Sequence, residues 1–225
     1  MKRHLAIFGS AFVIGLSGAM MPGPLLSASI GYTLKDGFLA GGPLLVLGHA
    51  ILELSLVVLV LAGLGRVLAN KSVGAAIGIV GGGVLLWMGY AMGAFAAAGG
   101  DLATGNGAQA LPASPVVAGV LVSLANPYWS LWWATIGLKY IALSRESGML
   151  GVAAFGTGHI LSDVAWYLFV AGAVALGREA ISPTVYRWII GGCGVMLLGF
   201  GAWFIVAGIR HFVRRRKPSP AAEGA

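Results

Sequence analysis

Charged residues are scarce in this chain: they make up 9% of its 225 residues, whereas 58% are hydrophobic. A soluble domain could not keep so much apolar surface out of water, so the composition indicates a polytopic membrane protein. Cysteine is scarcer still. Cys193 is the single one, which excludes an intrachain disulfide and dithiol redox chemistry. The GxxxxGK[ST] loop of P-loop ATPases is also missing. Uphill transport by this chain would therefore need an ion gradient or a partner subunit.

Six apolar runs are long enough to cross a bilayer as helices, which takes about 20 residues each. They cover Leu5–Ile30, Phe38–Leu64, Val73–Phe95, Val116–Leu138, Met149–Leu176 and Val185–Ile209. The sequence thus predicts an all-α integral membrane protein with six transmembrane helices. The first run follows Lys2 and Arg3, as the apolar part of a signal peptide would. We interpret it as a spanning helix, because it contains a proline break that is matched later in the chain.

The net charge of +7 comes from basic residues in predicted loops and tails. In a six-span arrangement all of the Lys and Arg residues except Lys35, Arg178 and Arg187 lie on one side of the membrane. Cytoplasmic loops carry such an excess, so both termini are predicted to be cytoplasmic. The basic tail after residue 212 is typical of contact with anionic lipid and of fixed orientation, and we do not expect a nucleic-acid partner.

Two pairs of ionisable residues lie near the centres of apolar runs. His49 and Glu53 occur within LLVLGHAILEL, and His159 and Asp163 within GHILSD, each pair at a spacing of four residues and the two pairs 110 residues apart. This spacing places both members of a pair on one helix face. Because an ionisable side chain at this depth costs about 2.5 to 3.5 kcal/mol on insertion scales, such residues indicate function by default.

Proline breaks interrupt the first and fourth runs, at Pro22-Gly23-Pro24 and Asn126-Pro127. A proline removes a backbone donor, so the freed carbonyl groups must face protein or a wet cavity. The breaks and pairs therefore divide the chain into two three-helix repeats, 1–98 and 116–212, joined by an extracytoplasmic linker, 99–115, and followed by a basic cytoplasmic tail, 213–225. Three spans are an odd number. The second repeat would enter the membrane from the opposite side, which is the inverted-repeat plan of secondary transporters.

The breaks and the pairs are predicted to converge near the middle of the membrane. We expect the half-helix ends to bind the polar groups of a small substrate. The predicted substrate-binding residues are Pro22, Gly23, Pro24, Asn126, Pro127, Tyr128 and Trp129. His49, Glu53, His159 and Asp163 are predicted to bind the coupling ion, because a buried imidazole and carboxylate can exchange a proton near neutral pH. The alternative is that each pair is only an interhelical hydrogen bond.

Two further features have a structural and a functional interpretation. Aromatic residues around the second break could form a cation-binding wall, or could simply pack; they are Tyr128, Trp129, Trp132, Trp133, Trp166 and Tyr167. Gly74, Gly78 and Gly82, at four-residue spacing, are typical of close helix packing. The same glycines could support a homodimer, but they are equally needed within one subunit.

The stretch Met21–Leu26, MPGPLL, and the break at Asn126-Pro127 resemble the LysE/RhtB family of amino-acid exporters. The resemblance covers nearly the whole chain. It implies a prokaryotic inner-membrane exporter of amino acids or similar small metabolites, driven by a proton or sodium gradient, with no cofactor. The chain departs from the family at Tyr128, where the family often has lysine, and NPYWSLWW is strongly aromatic instead. A basic amino acid is therefore not specified as the substrate.

Two other functions use the same four ionisable residues. A divalent-metal exporter of the wider LysE superfamily would bind Zn, Ni or Mn with both histidines and both carboxylates. It requires that His49 and His159 lie within about 8 Å of each other, since ligand bonds are near 2 Å. An intramembrane metalloenzyme would use the four residues to activate water. No HExxH or serine–histidine pattern supports an enzyme.

Overall fold

The computed structural model describes residues 2–21, 23–99, 114–177 and 182–216, and these residues contain helices but no strand. Eight helices occupy the described residues. They are α1 (Lys2–Ala19), α2 (Pro24–Asp36), α3 (Ala40–Leu68), α4 (Lys71–Ala97), α5 (Pro115–Leu124), α6 (127–145), α7 (Gly148–Gly177) and α8 (Pro183–Arg216). Most of the predicted linker and of the basic tail lies outside the described residues. Helix α8 continues to Arg216 and so contains the first four residues of the predicted tail.

Four of these helices, α3, α4, α7 and α8, are long and apolar enough to cross a membrane. Helices α1 and α2 meet that criterion together, as one pair bent by 78°. The described residues therefore provide four spans, or five if the bent pair is one span. The fourth predicted run is divided at Asn126 between the short apolar helix α5 and helix α6.

Both helices that follow a break have a proline in their first turn. Backbone N–H groups in that turn have no partner within the helix, so the missing N–H of proline costs no hydrogen bond. Gly23 precedes Pro24 in an extended conformation, and Asn126 precedes Pro127 in the same way. The Asn126 side chain accepts a hydrogen bond from the Tyr128 backbone N–H at 3.0 Å. It is therefore the N-cap of α6, and the sequence at each break specifies where the second half-helix starts.

Three helix pairs account for most of the packing: α1 with α7, α3 with α5, and α4 with α8. Glycines allow the close approach in each pair. A Cβ atom at Gly48 on α3 would overlap the carbonyl oxygen of Val116 on α5, and one at Gly158 on α7 would overlap that of Phe8 on α1. The helix backbones thus touch directly, which small residues permit in membranes.

The α4–α8 pair contains reciprocal glycine contacts. A Cβ atom at Gly82 would lie 2.7 Å from the carbonyl oxygen of Gly201, and one at Gly201 would lie 2.7 Å from that of Gly82. Gly89 and Gly194 face each other in the same manner. Gly82, from the row predicted to pack, therefore packs within this chain, whereas a Cβ atom at Gly74 would meet nothing within 4 Å.

Candidate functional site

The two predicted pairs meet in the interior of the protein. His49 and Glu53 on α3, and His159 and Asp163 on α7, are each at most 5% exposed. His159 Nε2 lies 3.2 Å from Glu53 Oε2, and His49 Nε2 lies 3.3 Å from Glu53 Oε1. Asp163 Oδ2 is 3.8 Å from His159 Nε2 and 4.0 Å from His49 Nε2. Each imidazole thus faces both carboxylates, and we call these four residues the His/carboxylate cluster.

Glu53 receives two indole N–H groups from α6. Trp129 Nε1 and Trp133 Nε1 each donate to Glu53 Oε1 at 3.0 Å, and His159 Nε2 is 3.2 Å from the same oxygen. From the sequence, Trp129 was predicted to bind the substrate, and Trp133 was predicted either to form part of a cation-binding wall or to pack against other helices. Their four-residue spacing, the same as in the ionisable pairs, was the signal that one helix face presents both indoles to a common partner.

Asp163 has a different environment. Its Oδ2 atom is buried and has no hydrogen-bond partner, and both imidazoles lie beyond hydrogen-bond distance. The two carboxylates therefore occupy corresponding places in the two pairs but differ in their donors. Both carboxylates line the cavity beside the cluster, but Glu53 Oε1 accepts hydrogen bonds from α6 and α7, whereas Asp163 Oδ2 accepts none.

Ser123 on α5 orients His49. Its hydroxyl donates to the Gly119 carbonyl at 2.6 Å and lies 2.7 Å from His49 Nδ1. A hydroxyl has one proton. Because the hydroxyl donates its proton in the hydrogen bond to the Gly119 carbonyl, His49 Nδ1–H is the donor to Ser123 Oγ. The other ring nitrogen, Nε2, then points at the carboxylates. Sequence reasoning missed Ser123, because a serine in an apolar helix usually bonds only to its own backbone.

His159 lies between aromatic rings. The Trp132 ring stacks on it at a centroid distance of 4.6 Å, the Phe155 ring lies parallel at 6.0 Å, and Trp133 approaches edge-on at 5.1 Å. Aromatic faces stabilise a nearby cation. Two of the six residues of the predicted aromatic wall, Trp132 and Trp133, thus contact a side chain of the protein itself.

A cavity of about 40 Å³ adjoins the cluster. Both helix breaks and both pairs contribute to its walls, which include Gly18, Ala19, Met21, Gly23, Leu25, His49, Glu53, Ser123, Asn126, Tyr128, Trp129, Trp132, Trp133, His159, Asp163 and Tyr167. A water molecule needs about 10 to 15 Å³ of cavity volume, so the cavity accommodates a few water molecules or a small ion and not an amino acid. This conformation is closed around the cluster.

The predicted substrate residues differ in their placement. Gly23, Asn126, Tyr128 and Trp129 line the cavity, whereas Pro24 lines a smaller neighbouring one of about 10 Å³. Pro127 is buried and packs against α4, where a Cβ atom at Gly81 would lie 3.0 Å from it. Pro22 lies outside the described residues. The structure thus brings the residues around both breaks to the cluster, while the Pro127 ring packs against a helix.

A metal ion was the alternative occupant. His49, Glu53 and Asp163 offer three ligand atoms within 4.8 Å of one another. However, the indole N–H groups of Trp129 and Trp133 point at Glu53 Oε1. They compete with a cation for that oxygen, so this arrangement does not favour a metal site.

Apolar helices that surround a buried cluster of ionisable groups define the protein as a multi-pass membrane transport protein. The chain belongs to the LysE type translocator family, whose profile matches residues 16–208. The resemblance drawn from MPGPLL and Asn126-Pro127 is therefore confirmed. Members of this family are translocators and not enzymes.

Two relatives align with nearly the whole chain. The chemotactic transduction protein ChpE of Pseudomonas aeruginosa is 28% identical over 196 residues, which cover 87% of this chain and 95% of ChpE. YcgF of Bacillus subtilis, provisionally named an amino acid efflux protein, is 26% identical over 208 residues, covering 92% of this chain and 99% of YcgF. No solved structure matches the chain.

Proposed function

We propose that this protein is a secondary active transporter that exports amino acids or similar small metabolites across the inner membrane of a prokaryote, coupled to a proton or sodium gradient. The observation that carries the proposal is the His/carboxylate cluster. Its members come from two distant parts of the chain and line one buried cavity beside both helix breaks. The family and the name given to YcgF support transport of an amino acid.

Helix packing supports two inverted three-span repeats, with α1 and α2 as the first span and α5 and α6 as the fourth. Exchange of the two halves converts the α1–α7 contact into the α5–α3 contact and leaves the α4–α8 contact unchanged. The glycines at the first two contacts, Gly48 and Gly158, are 110 residues apart, as the ionisable pairs are. A two-fold axis in the membrane plane explains this correspondence.

Contacts between helix ends support the orientation with both termini in the cytoplasm. Arg3 at the start of α1 pairs with Glu146, between α6 and α7, at 3.2 Å. Ser72 at the start of α4 lies 3.3 Å from His211, near the end of α8. Both contacts join segments that a six-span arrangement puts on one side, and the excess of basic residues identifies that side as the cytoplasmic one.

The cavity suggests how substrate and coupling ion share the site. Gly23 and Asn126 mark the breaks from which α2 and α6 begin, and helix N-termini attract a carboxylate. Tyr128 and Trp129 line the same space. The cluster lies on the other wall and exchanges a proton or sodium ion as the substrate enters and leaves. Because the cavity is small in this closed conformation, α2 and α6 must move apart to admit an amino acid.

Transport in proteoliposomes tests the proposal. Purified protein is reconstituted, a pH gradient and a sodium gradient are imposed separately, and uptake of labelled amino acids is compared with uptake of divalent metals. Glu53→Gln and Asp163→Asn should each reduce gradient-driven transport of an amino acid by more than about tenfold, since each removes a charge from the cluster. Glu146→Gln is the matched control, because Glu146 is an exposed carboxylate that does not line the cavity.

Two results would contradict the proposal. Amino-acid transport that is unchanged by both cluster substitutions would remove the coupling role from these carboxylates. Transport of a divalent metal in place of any amino acid would favour the metal-exporter alternative.

A further inference from the structure

We propose that the two carboxylates of the cluster have different tasks: Asp163 binds and releases the coupling cation, whereas Glu53 is a positioning residue that Trp129 and Trp133 hold as a carboxylate. This inference rests on the proposed transport function. The sequence predicts the same role, binding of the coupling ion, for both carboxylates; the structure distinguishes them.

The donors around Glu53 occupy one of its two carboxylate oxygens, Oε1. Trp129 and Trp133 each donate an indole N–H hydrogen bond to Oε1 at 3.0 Å, and His159 Nε2 lies 3.2 Å from the same oxygen. Indole nitrogen is a donor only. A proton or sodium ion on Oε1 would therefore lie against two N–H groups, and neither group can act as a hydrogen-bond acceptor or a cation ligand. The cation could bind there only if both indoles moved away.

Asp163 lacks such donors. Its Oδ2 atom is buried, has no hydrogen-bond partner and lies 3.8 Å and 4.0 Å from the two imidazoles, while the residue is 3% exposed and lines the cavity. A buried anion without hydrogen bonds is costly. Glu53 Oε2 is also buried without a hydrogen-bond partner, and Glu53 lines the same cavity. The two carboxylates differ because both indoles donate to Glu53 Oε1, whereas Asp163 Oδ2 has no N–H within hydrogen-bond distance. This difference assigns the small cation to Asp163.

The backbone of α6 is shaped to hold one of the two indoles. Trp133 begins a wide π-type turn that ends at Gly137, and such turns are frequent at functional sites. A Cβ atom at Gly137 would overlap the Trp133 ring. The glycine therefore leaves room for the ring in the orientation that directs its N–H to Glu53. The aromatic segment NPYWSLWW thus serves to fix Glu53 and stacks Trp132 on His159.

Comparison of two transport assays tests the division of tasks. Counterflow exchanges labelled for unlabelled amino acid without an ion gradient, whereas accumulation is driven by a pH or sodium gradient. Asp163→Asn should lose gradient-driven accumulation by more than about tenfold and keep counterflow within about threefold. Glu53→Gln should lose both, because the cluster loses the anion between its imidazoles. Asp163→Glu should restore coupling, whereas Glu53→Asp, which withdraws the carboxylate from the indoles, should not restore transport.

Indole N–H resonances supply a readout that needs no transport. In detergent-solubilised protein labelled with ¹⁵N at its tryptophans, Trp133→Phe and Trp129→Phe assign the two resonances, and Trp166→Phe is a control. Trp166 has a buried indole N–H with no hydrogen-bond partner and is not among the cavity residues. Glu53→Asp should shift both assigned resonances. They should keep their wild-type positions in Asp163→Asn at a fixed pH, because both indoles donate to Glu53 and not to Asp163.

The outcomes separate the two proposals. A wild-type protein that transports no amino acid in either assay would overturn the proposed function, and the spectra would then decide the division of tasks alone. If Asp163→Asn and Glu53→Gln lose counterflow and accumulation equally, the two carboxylates do not have different tasks, and the proposed function still stands. Unchanged Trp129 and Trp133 resonances in Glu53→Asp would also overturn the division of tasks, because Glu53 would then not be the acceptor of the two indole N–H groups.

Discussion

Gly48→Ala should separate α3 from α5 and disturb the cluster. An added Cβ atom overlaps the Val116 carbonyl oxygen, and this oxygen belongs to the helix backbone and cannot rotate away. Relief requires a shift of more than about 1 Å between the helices, given van der Waals contact distances of about 3.5 Å. The same interface carries the 2.7 Å contact between His49 Nδ1 and Ser123 Oγ, which such a shift takes beyond hydrogen-bond distance.

The expected cost follows from these two effects. Overpacking of this kind costs about 1 to 3 kcal/mol, and a buried polar group left without its partner costs about 1 to 3 kcal/mol more. Since the two effects share one displacement, we expect a total of about 2 to 5 kcal/mol rather than their full sum. Counterflow should fall with it, because His49 loses its orientation towards the carboxylates.

Thermal unfolding in detergent and counterflow in proteoliposomes measure this change. Gly83→Ala on α4 is the matched control, since a Cβ atom there would meet nothing within 4 Å. It should be neutral or stabilise α4 by up to about 1 kcal/mol, the difference in helix propensity between glycine and alanine. If Gly48→Ala unfolds at the same temperature as Gly83→Ala and transports at the wild-type rate, the direct contact between the α3 and α5 backbones is refuted.

Two further substitutions examine polar contacts at the site. Ser123→Ala should slow counterflow by about 5-fold to 100-fold, because it leaves His49 Nδ1 unpaired at a cost of about 1 to 3 kcal/mol; Ser55→Ala, at an exposed serine bonded to its own helix, should have no effect. Equal rates in the two serine variants would contradict the orienting role. Asn126→Ala should lower the free energy of unfolding by about 1 kcal/mol through loss of the Tyr128 N–H cap, and Asn126→Asp should restore it. A stability unchanged in Asn126→Ala would show that this cap does not hold the start of α6.

Much of the site could be predicted from the sequence because its signals are local. His49 with Glu53 and His159 with Asp163 stand out by their cost in an apolar run and by their four-residue spacing. The family was evident from MPGPLL and Asn126-Pro127, and the profile match over residues 16–208 confirms it. The count of six spans was less secure, since a broken helix divides its apolar run into pieces that do not each meet the length of a span.

The contacts that distinguish the four ionisable residues could not be predicted in this way. Trp129 and Trp133 lie 76 and 80 residues from Glu53 along the chain, and Ser123 lies 74 residues from His49. Which side chain meets which depends on the rotation of α5 and α6 about their axes. Backbone contacts at glycines set that rotation, and hydropathy and spacing do not report it.

Composition and periodicity alone determined that this chain is a helical membrane protein with ionisable pairs in two apolar segments, because lipid penalises every uncompensated polar group. Only the tertiary structure decided that the indole N–H groups of Trp129 and Trp133 donate to Glu53 and not to Asp163. The physical reason is that a hydrogen bond depends on distances of a few tenths of an ångström between helices, and these distances are set by the packing of the whole chain.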